Sequence, residues 1–106
     1  MAKNVCAIVY TTCGSRREAA RIAEALVSEK LVACANIFPI SSIYRWKGRV
    51  EGAKEFAIIL KTRRKLVQQV ISRIRELHTY KIPAIVSFNI VEGSNDYLRW
   101  IIESTG

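Results

Sequence analysis

The strongest constraint on the fold is a pattern that occurs twice along the chain: an apolar strand, an amphipathic helix and a second strand. The β-branched run of residues 4–12 predicts a central strand. Apolar residues at helical spacing follow it and predict a helix that ends near Lys30. An extended stretch at residues 32–47 completes the unit. Because Pro39 cannot donate to a neighbouring strand, we expect this second strand at a sheet edge or with a bulge at the proline.

The second copy of the pattern follows a tight reversal at Gly48. Its elements are a long strand predicted at residues 49–62, a helix whose apolar stripe runs from Leu66 to Leu77, and a fourth strand predicted at residues 82–91. A short helix then ends the pattern. Two such units joined by a hairpin predict one α+β domain over residues 1–106, with the ferredoxin-like βαββαβ antiparallel sheet, a long central hairpin and an extra C-terminal helix.

Topology extends this prediction to the faces of the sheet. Right-handed crossovers make the first two strands parallel to each other and the third and fourth strands opposite to them. The helices then cover a single face of the sheet. The apolar residues of the other face need a cover, which predicts an oligomer.

Two helix caps are expected from local spacing. Ser15 and Glu18 have the S-x-x-E spacing of a capping box, in which hydroxyl and carboxylate each accept a backbone N–H of the first turn. Thr62 directly precedes the second helix and is expected to cap it.

Charge and composition limit the classes of partner. The chain has 17 Lys and Arg against 9 Asp and Glu, a net charge of +8 spread along its length. A basic surface attracts nucleic acid or anionic ligands, although solubility is the simpler explanation of the charge, so nucleic acid is a rival partner. No apolar run is long enough to span a membrane, no signal peptide is recognised, and three cysteines without a C-x-x-C pair argue against a secreted disulfide framework. We expect a cytoplasmic protein.

The topology also separates the residues that can carry chemistry into two groups. One sheet edge is expected to hold Cys13, Tyr44, Trp46, His78 and Tyr80, and the other Cys34, Lys61, Arg63, Arg64 and Lys65. The last three bases oppose the dipole at the start of the second helix. Either the helix tolerates this cost, or the charges are neutralised by an anion such as phosphate or by a carboxylate of a neighbouring chain, and we favour the neighbouring chain. No phosphate-binding loop or serine–histidine–acid set is found, so we expect a protein that is not an enzyme.

Several motifs in combination resemble the CutA family of divalent-cation tolerance proteins. These are "VACANIFPISSIYRWKGRV", "FAIILKTRR", His78–Tyr80–Pro83 and "DYLRWI", and the resemblance covers nearly the whole chain. It implies a compact, very stable trimer of ferredoxin-like subunits, with the long hairpins between subunits. It also implies a role in tolerance of divalent metals such as copper. The trimer is similar to that of the PII signalling proteins, which bind small ligands between subunits.

The resemblance makes His78 a candidate metal ligand, and soft thiolates of Cys34 or Cys13 with imidazole would favour copper or zinc. Two plainer interpretations remain open: His78 can bond the last carbonyls of its helix, and Cys34 can be a small buried apolar residue. Cys34 cannot meet His78 within one subunit, which leaves Cys13 as the partner there. Lys81 and Ala84 stand where family members often have acidic residues, which weakens a metal site at His78.

Aromatic residues supply the remaining candidates. Tyr44, Trp46 and Trp100 are expected to pack at the trimer interface. Tyr44, Trp46, Tyr80 and Lys61 are the candidates for a ligand cleft. The alternative function is accordingly a PII-like trimer that senses a small anionic ligand between subunits.

Overall fold

The computed structural model describes residues 5–106. Its elements are β1 (Cys6–Cys13), α1 (Arg16–Ser28), β2 (Cys34–Trp46), β3 (Arg49–Arg63), a 3-10 turn (Arg64–Leu66), α2 (Val67–Leu77), β4 (Ile85–Asn89) and α3 (Asn95–Glu103). Residue 4, where the first strand was predicted to begin, lies outside the described residues. Within residues 5–106, no helix combines the length and the apolar character needed to cross a bilayer.

The four strands form one antiparallel sheet in the order β2-β3-β1-β4. β3 and β4 each pair antiparallel with β1, and β2 pairs antiparallel with β3. β1 and β2 therefore point the same way, opposite to β3 and β4, as the crossover rule predicted. Pro39 lies in β2, which is an edge strand, so this prediction is confirmed as well.

The β2–β3 hairpin is the longest feature of the molecule. Its register runs without interruption from the pair Cys34–Lys61 to the pair Trp46–Arg49. At the turn, Lys47 and Gly48 have positive φ angles of 51° and 78°, the left-handed geometry of a tight hairpin turn. The hairpin extends the described chain to 46 Å in its longest dimension, against 25 and 22 Å in the other two.

The core lies between the sheet and helices α1 and α2. In the register, Val9 lies opposite Leu60 and Thr11 opposite Ile58, and all four residues are fully buried. Apolar side chains of the two helices complete this layer, chiefly Ala19, Ile22, Leu26, Val70 and Ile74. A smaller cluster of Cys6, Ala33 and Ile101 packs α3 against one end of the sheet.

The alternate residues of the strands point to the second face of the sheet, which the described helices leave largely uncovered. Tyr10 lies opposite Ile59 on one side and Val86 on the other. Val86 and Phe88 are each 53% exposed, and Phe38 is 36% exposed. The prediction that one face of the sheet is bare in a single chain is therefore confirmed.

Local capping is predicted correctly only in part. The Ser15 hydroxyl accepts the Glu18 N–H at 3.1 Å and begins α1 as expected. The prediction that Thr62 caps the second helix is wrong, because its hydroxyl donates to the Leu31 carbonyl at 2.6 Å and α2 has no side-chain cap. Thr62 is fully buried inside the sheet layer, where it faces the α1–β2 connection.

Candidate functional site

His78 follows α2 directly, and its side chain is fully buried. Its Nε2 lies 2.7 Å from the Thr12 carbonyl oxygen, and its Nδ1 lies 3.1 Å from the Tyr80 backbone nitrogen. Because the Tyr80 N–H can only donate, Nδ1 is the acceptor and the ring proton resides on Nε2, which donates to Thr12. Both ring nitrogens are therefore engaged by groups of the same chain.

Cys13 lies beside this histidine. Its Sγ is 3.9 Å from His78 Nε2 and fully buried. Burial raises the pKa of the Cys13 thiol to about 12, and the carboxylates of Glu18 and Glu55 add to the shift. Cys13, the predicted single-chain neighbour of His78, is thus in place. At neutral pH, however, Cys13 is a protonated thiol, and His78 Nε2 is already bonded to the Thr12 carbonyl.

Glu18 joins the helix α1 to the loop that carries His78. Its Oε2 accepts the Thr79 N–H at 2.8 Å and lies 3.5 Å from His78 Nδ1. Burial alone would raise the pKa of Glu18, but the hydrogen bonds from Thr79 outweigh it, so the pKa is lowered. The carboxylate expected to complete a capping box at Ser15 serves the loop after α2 instead.

The last carbonyl of α2 also has a partner that the sequence did not indicate. The Arg21 guanidinium donates to the Leu77 carbonyl at 2.9 Å. One interpretation left open was that His78 bonds the carbonyls of its own helix, but its ring reaches the Thr12 carbonyl of β1 instead. The imidazole therefore ties α2 to the sheet and does not cap the helix.

Tyr80 extends the same network to β3. Its hydroxyl donates to Glu55 Oε2 at 2.8 Å, and its ring centroid lies 4.9 Å from that of His78. Burial and the Glu55 carboxylate raise the pKa of Tyr80. Glu55 is only 8% exposed, and sequence reasoning missed it because an acid in the half of a long strand that also holds Glu51 and Lys54 resembles a solvated strand residue. At Gly14 an added Cβ would lie 3.2 Å from the Tyr80 hydroxyl, so the loop passes close to this ring.

A second group of polar side chains lies around Cys34. Its Sγ is 3.4 Å from the Tyr97 hydroxyl and is partly exposed. Lys61, opposite Cys34 in the register, donates to the Asn36 side chain and lies 5.9 Å from the centroid of the Tyr97 ring. The hydrogen bond with Cys34 and burial raise the pKa of Tyr97 to about 12. Asn36 and Tyr97 were not identified from the sequence, because neither belongs to a recognisable ligand pattern.

The aromatic candidates divide between the two ends of the sheet. Tyr97 stacks on Trp100 with centroids 5.7 Å apart, so Trp100 belongs with Cys34. Tyr44 and Trp46 are 43% and 48% exposed near the hairpin turn.

The ligand cleft predicted for Tyr44, Trp46, Tyr80 and Lys61 is not formed within one chain. Lys61 lies six residues along β3 from Glu55, the partner of Tyr80, which is roughly 20 Å in a strand. Lys61 is therefore a member of the Cys34 group and not of the Tyr80 group.

The three bases at the end of β3 have different surroundings. Arg63 donates from Nε to the Thr105 hydroxyl at 3.0 Å and from Nη2 to the Thr105 carbonyl at 2.7 Å. Arg64 and Lys65 are exposed. The interaction of Arg63 with the C-terminal residues had no sequence signal, because its acceptors are a backbone carbonyl and a threonine hydroxyl 42 residues away.

Metal binding is the chemistry that the candidate residues were expected to support. Among residues 5–106, no three His, Cys, Asp or Glu side chains are grouped so that they could hold an ion. Of the three cysteines, Cys6 and Cys13 are buried and Cys34 is partly exposed. Lys81 and Ala84 are exposed and take no recorded part in the hydrogen bonds of His78.

Comparison with known proteins gives consistent matches over nearly the full chain. Residues 7–104 match the family model described as CutA1 divalent ion tolerance protein. The divalent-cation tolerance protein CutA of Pyrococcus horikoshii is 42% identical and aligns with 92% of this chain and 96% of its own length. The structure of CutA1 from Oryza sativa has a TM-score of 0.94 at 34% identity, over 98% of this chain and 96% of that one.

A third similar structure bears on cellular location. The periplasmic divalent cation tolerance protein CutA of Archaeoglobus fulgidus has a TM-score of 0.91 at 41% identity, over 93% of this chain and 97% of its own. Because that protein is described as periplasmic, similarity alone does not assign a compartment. The cytoplasmic location expected for this chain stays a prediction.

Proposed function

Because this chain belongs to the CutA1 divalent ion tolerance family, we propose that it acts in the response to divalent cations as a homotrimer of ferredoxin-like subunits. The proposed role is binding and not catalysis, and the proposed ligand is a soft metal ion such as copper. The observation that carries this proposal is the bare apolar face of the sheet, next to an accessible thiol.

The uncovered face supports a partner that is another copy of the chain. Half-exposed apolar side chains of β2 and β4 adjoin Tyr10 and Ile59 of the central strands, and Val86 and Phe88 are each 53% exposed. Burial of such residues contributes roughly 25 cal/mol for each Å² of apolar surface removed from water. A cyclic arrangement gives every copy the same cover, as closed symmetry requires.

The hairpin end supports the same assembly. Apolar and aromatic residues close to the turn are strongly exposed in one chain: Ile43 (81%), Tyr44 (43%), Trp46 (48%) and Val50 (68%). β2 and β4 are also the two edge strands of the sheet, and unpaired edges are available for pairing with another chain. We propose that the hairpin packs against a neighbouring subunit.

Cys34 is the metal donor that we propose for this assembly. Its thiol is partly exposed on the sheet face opposite α1 and α2, at the end where α3 packs, and lies 3.4 Å from the Tyr97 hydroxyl of α3. A thiolate favours copper or zinc over magnesium or calcium. Donors of a second subunit would complete the coordination, because this face is the one that sister chains would cover. At His78, by contrast, both nitrogens would first have to lose their hydrogen bonds.

Calorimetry of the intact protein tests the metal proposal. We expect saturable binding of Zn²⁺ or Cu²⁺ under anaerobic conditions, with the affinity reduced at least about tenfold in Cys34→Ser, because loss of a ligand in a metal site removes well over 1 kcal/mol. Cys6→Ser is the matched control, since it removes a thiol that lies in the core, and it should bind as the wild type does.

Two results would contradict the assignment of Cys34. Unchanged metal affinity in Cys34→Ser would remove this thiol from the site. Loss of binding in His78→Ala alone, with both cysteine variants unaffected, would move the site to the network at His78.

A second candidate function is the sensing of a small ligand at Tyr80 and Glu55. The observation in its favour is a carboxylate only 8% exposed that is bonded to the Tyr80 hydroxyl at 2.8 Å. A buried carboxylate repels an anion and favours a cation or a hydrogen-bond donor. At this position, therefore, we propose that a small ligand would be cationic or neutral and not the anion expected by analogy with the PII proteins.

A further inference from the structure

A cavity of about 500 Å³ lies at the end of β3 that is farthest from the hairpin turn. Three consecutive bases and two apolar residues line it: Val5, Arg63, Arg64, Lys65 and Ile102. The volume is within the range of small-molecule sites in proteins. The lining contains no acidic residue, so the electrostatic potential inside it is positive.

Arg63 is held in position at the wall of this cavity. Two of its five N–H groups donate to Thr105, at 3.0 Å to the hydroxyl and 2.7 Å to the carbonyl. Thr105 is itself 7% exposed, and its hydroxyl donates to the Ile101 carbonyl at 2.9 Å. The plane of the guanidinium is thereby fixed by acceptors that carry no charge.

None of the three bases forms an ion pair with an acid in the described part of the chain. The ion pairs found within residues 5–106 involve Arg21, Arg73, His78 and Arg99, and none of them includes Arg63, Arg64 or Lys65. An oriented guanidinium beside two exposed cations can bind several oxygens of one anion.

We infer that this cavity binds a small phosphate ester. The phosphate is held by Arg63, Arg64 and Lys65, and the apolar body of the ester packs on Val5 and Ile102. The sequence alone favoured a carboxylate of a neighbouring chain as the counter-charge, but an open cavity with an apolar wall fits a small amphipathic anion better. The inference does not rest on the proposed metal function, since the cavity involves neither Cys34 nor the uncovered apolar residues.

Titration calorimetry with phenyl phosphate as the probe tests this inference on the full chain at low ionic strength. We expect saturable binding that is at least about tenfold weaker in R64Q/K65Q, because charge-assisted hydrogen bonds to phosphate are lost. R16Q/R17Q is the matched control: it removes two exposed positive charges at the start of α1 and should bind within about twofold of the wild type. Equal weakening in both variants would overturn the inference in favour of diffuse charge, and so would no saturable binding by the wild type.

A comparison of phenyl phosphate with inorganic phosphate tests whether the apolar wall of the cavity contributes to binding. Phenyl phosphate should bind at least about fivefold more tightly than inorganic phosphate, because the ring removes apolar surface from water. Equal affinities would overturn the assignment of an ester with an apolar body.

A vesicle sedimentation assay distinguishes a lipid headgroup from a soluble phosphate ester. If the wild type and R16Q/R17Q sediment with phosphatidate vesicles and R64Q/K65Q does not, the site binds a lipid headgroup. No sedimentation, with phenyl phosphate still bound, would assign it to a soluble metabolite. All variants should keep the melting temperature and molar mass of the wild type, since the four substituted residues are exposed.

Discussion

At the scale of single residues, the hydrogen bonds around His78 hold the loop after α2 in place, although this loop has no regular secondary structure. The ring connects Thr12 of β1 to Tyr80, and Glu18 of α1 accepts the Thr79 N–H between them. Each buried polar atom of His78 has a partner, which is the condition for a polar group inside a core. A histidine of this kind holds the fold together through its hydrogen bonds.

Replacing Glu18 by Gln should lower the stability of the fold at neutral pH and weaken its dependence on acid. The pKa of Glu18 is lowered in the folded state, so its carboxylate stabilises the fold above its ordinary pKa of 4.5 and this contribution disappears as the pH falls through the lowered value. We expect a loss of about 1 kcal/mol at pH 7, because the amide keeps an acceptor for Thr79 but not its charge. Urea unfolding between pH 3 and pH 7 measures both effects.

Glu24→Gln is the control for this prediction, because Glu24 is exposed on the same helix. It should change the free energy of unfolding by a few tenths of a kcal/mol at most. The account of Glu18 would be wrong if both variants lost the same stability, or if Glu18→Gln kept the acid dependence of the wild type.

At the scale of elements, side chains of one element bond the backbone ends of another. Thr62 of β3 donates to the Leu31 carbonyl in the connection between α1 and β2, and Arg21 of α1 donates to the Leu77 carbonyl at the end of α2. The second bond satisfies a carbonyl that a helix end leaves without a partner. They also fix the positions of the helices on the sheet.

Replacing Thr62 by Val should destabilise the fold by about 1–3 kcal/mol, because it leaves the carbonyl of the half-buried Leu31 without its donor while nearly preserving side-chain volume. Thr62→Ser keeps the hydroxyl and should retain most of the hydrogen-bond contribution, although it loses a methyl group. Thermal or chemical unfolding compares the two variants. A Thr62→Val variant as stable as the wild type would show that the bond to Leu31 has no net effect.

Features that depend on local sequence patterns and on crossover handedness were predicted correctly from the sequence. Side-chain hydrogen bonds were not predicted where a residue distant in sequence is the partner. The order of the elements along the chain, the strand directions and the edge position of Pro39 follow from periodicity, crossover geometry and the missing proline donor. The cap expected at Thr62 and the second half of the capping box at Glu18 were wrong because Leu31 and Thr79 take those side chains. Such partners are backbone atoms 31 and 61 residues away, which no local spacing reveals.

For the candidate site, topology predicted that Cys13 and His78 lie together and that Cys34 lies apart. It did not predict that Glu55 receives the Tyr80 hydroxyl or that Tyr97 adjoins Cys34. These contacts depend on how the loop before β4 and the helix α3 fold back onto the sheet. The periodic pattern of apolar residues does not show how the loop before β4 or the helix α3 packs on the sheet.

At the scale of the whole molecule, the central claim is that sister chains cover the bare face of the sheet. Phe88, at 53% exposure, lies on that face, and the exposed Gln69 lies on α2 at the opposite side. Phe88→Glu should therefore reduce the assembly, because it places a charge in an apolar contact. Gln69→Glu adds the same charge on the outer surface and should leave the assembly unchanged.

The molar mass of the wild-type protein in solution tests the claim most directly. Multi-angle light scattering during size-exclusion chromatography, repeated at several micromolar concentrations, should give three times the mass of one chain. A single peak with the mass of one chain across that range would contradict the account, because it would mean that the apolar face is stable in water without a cover.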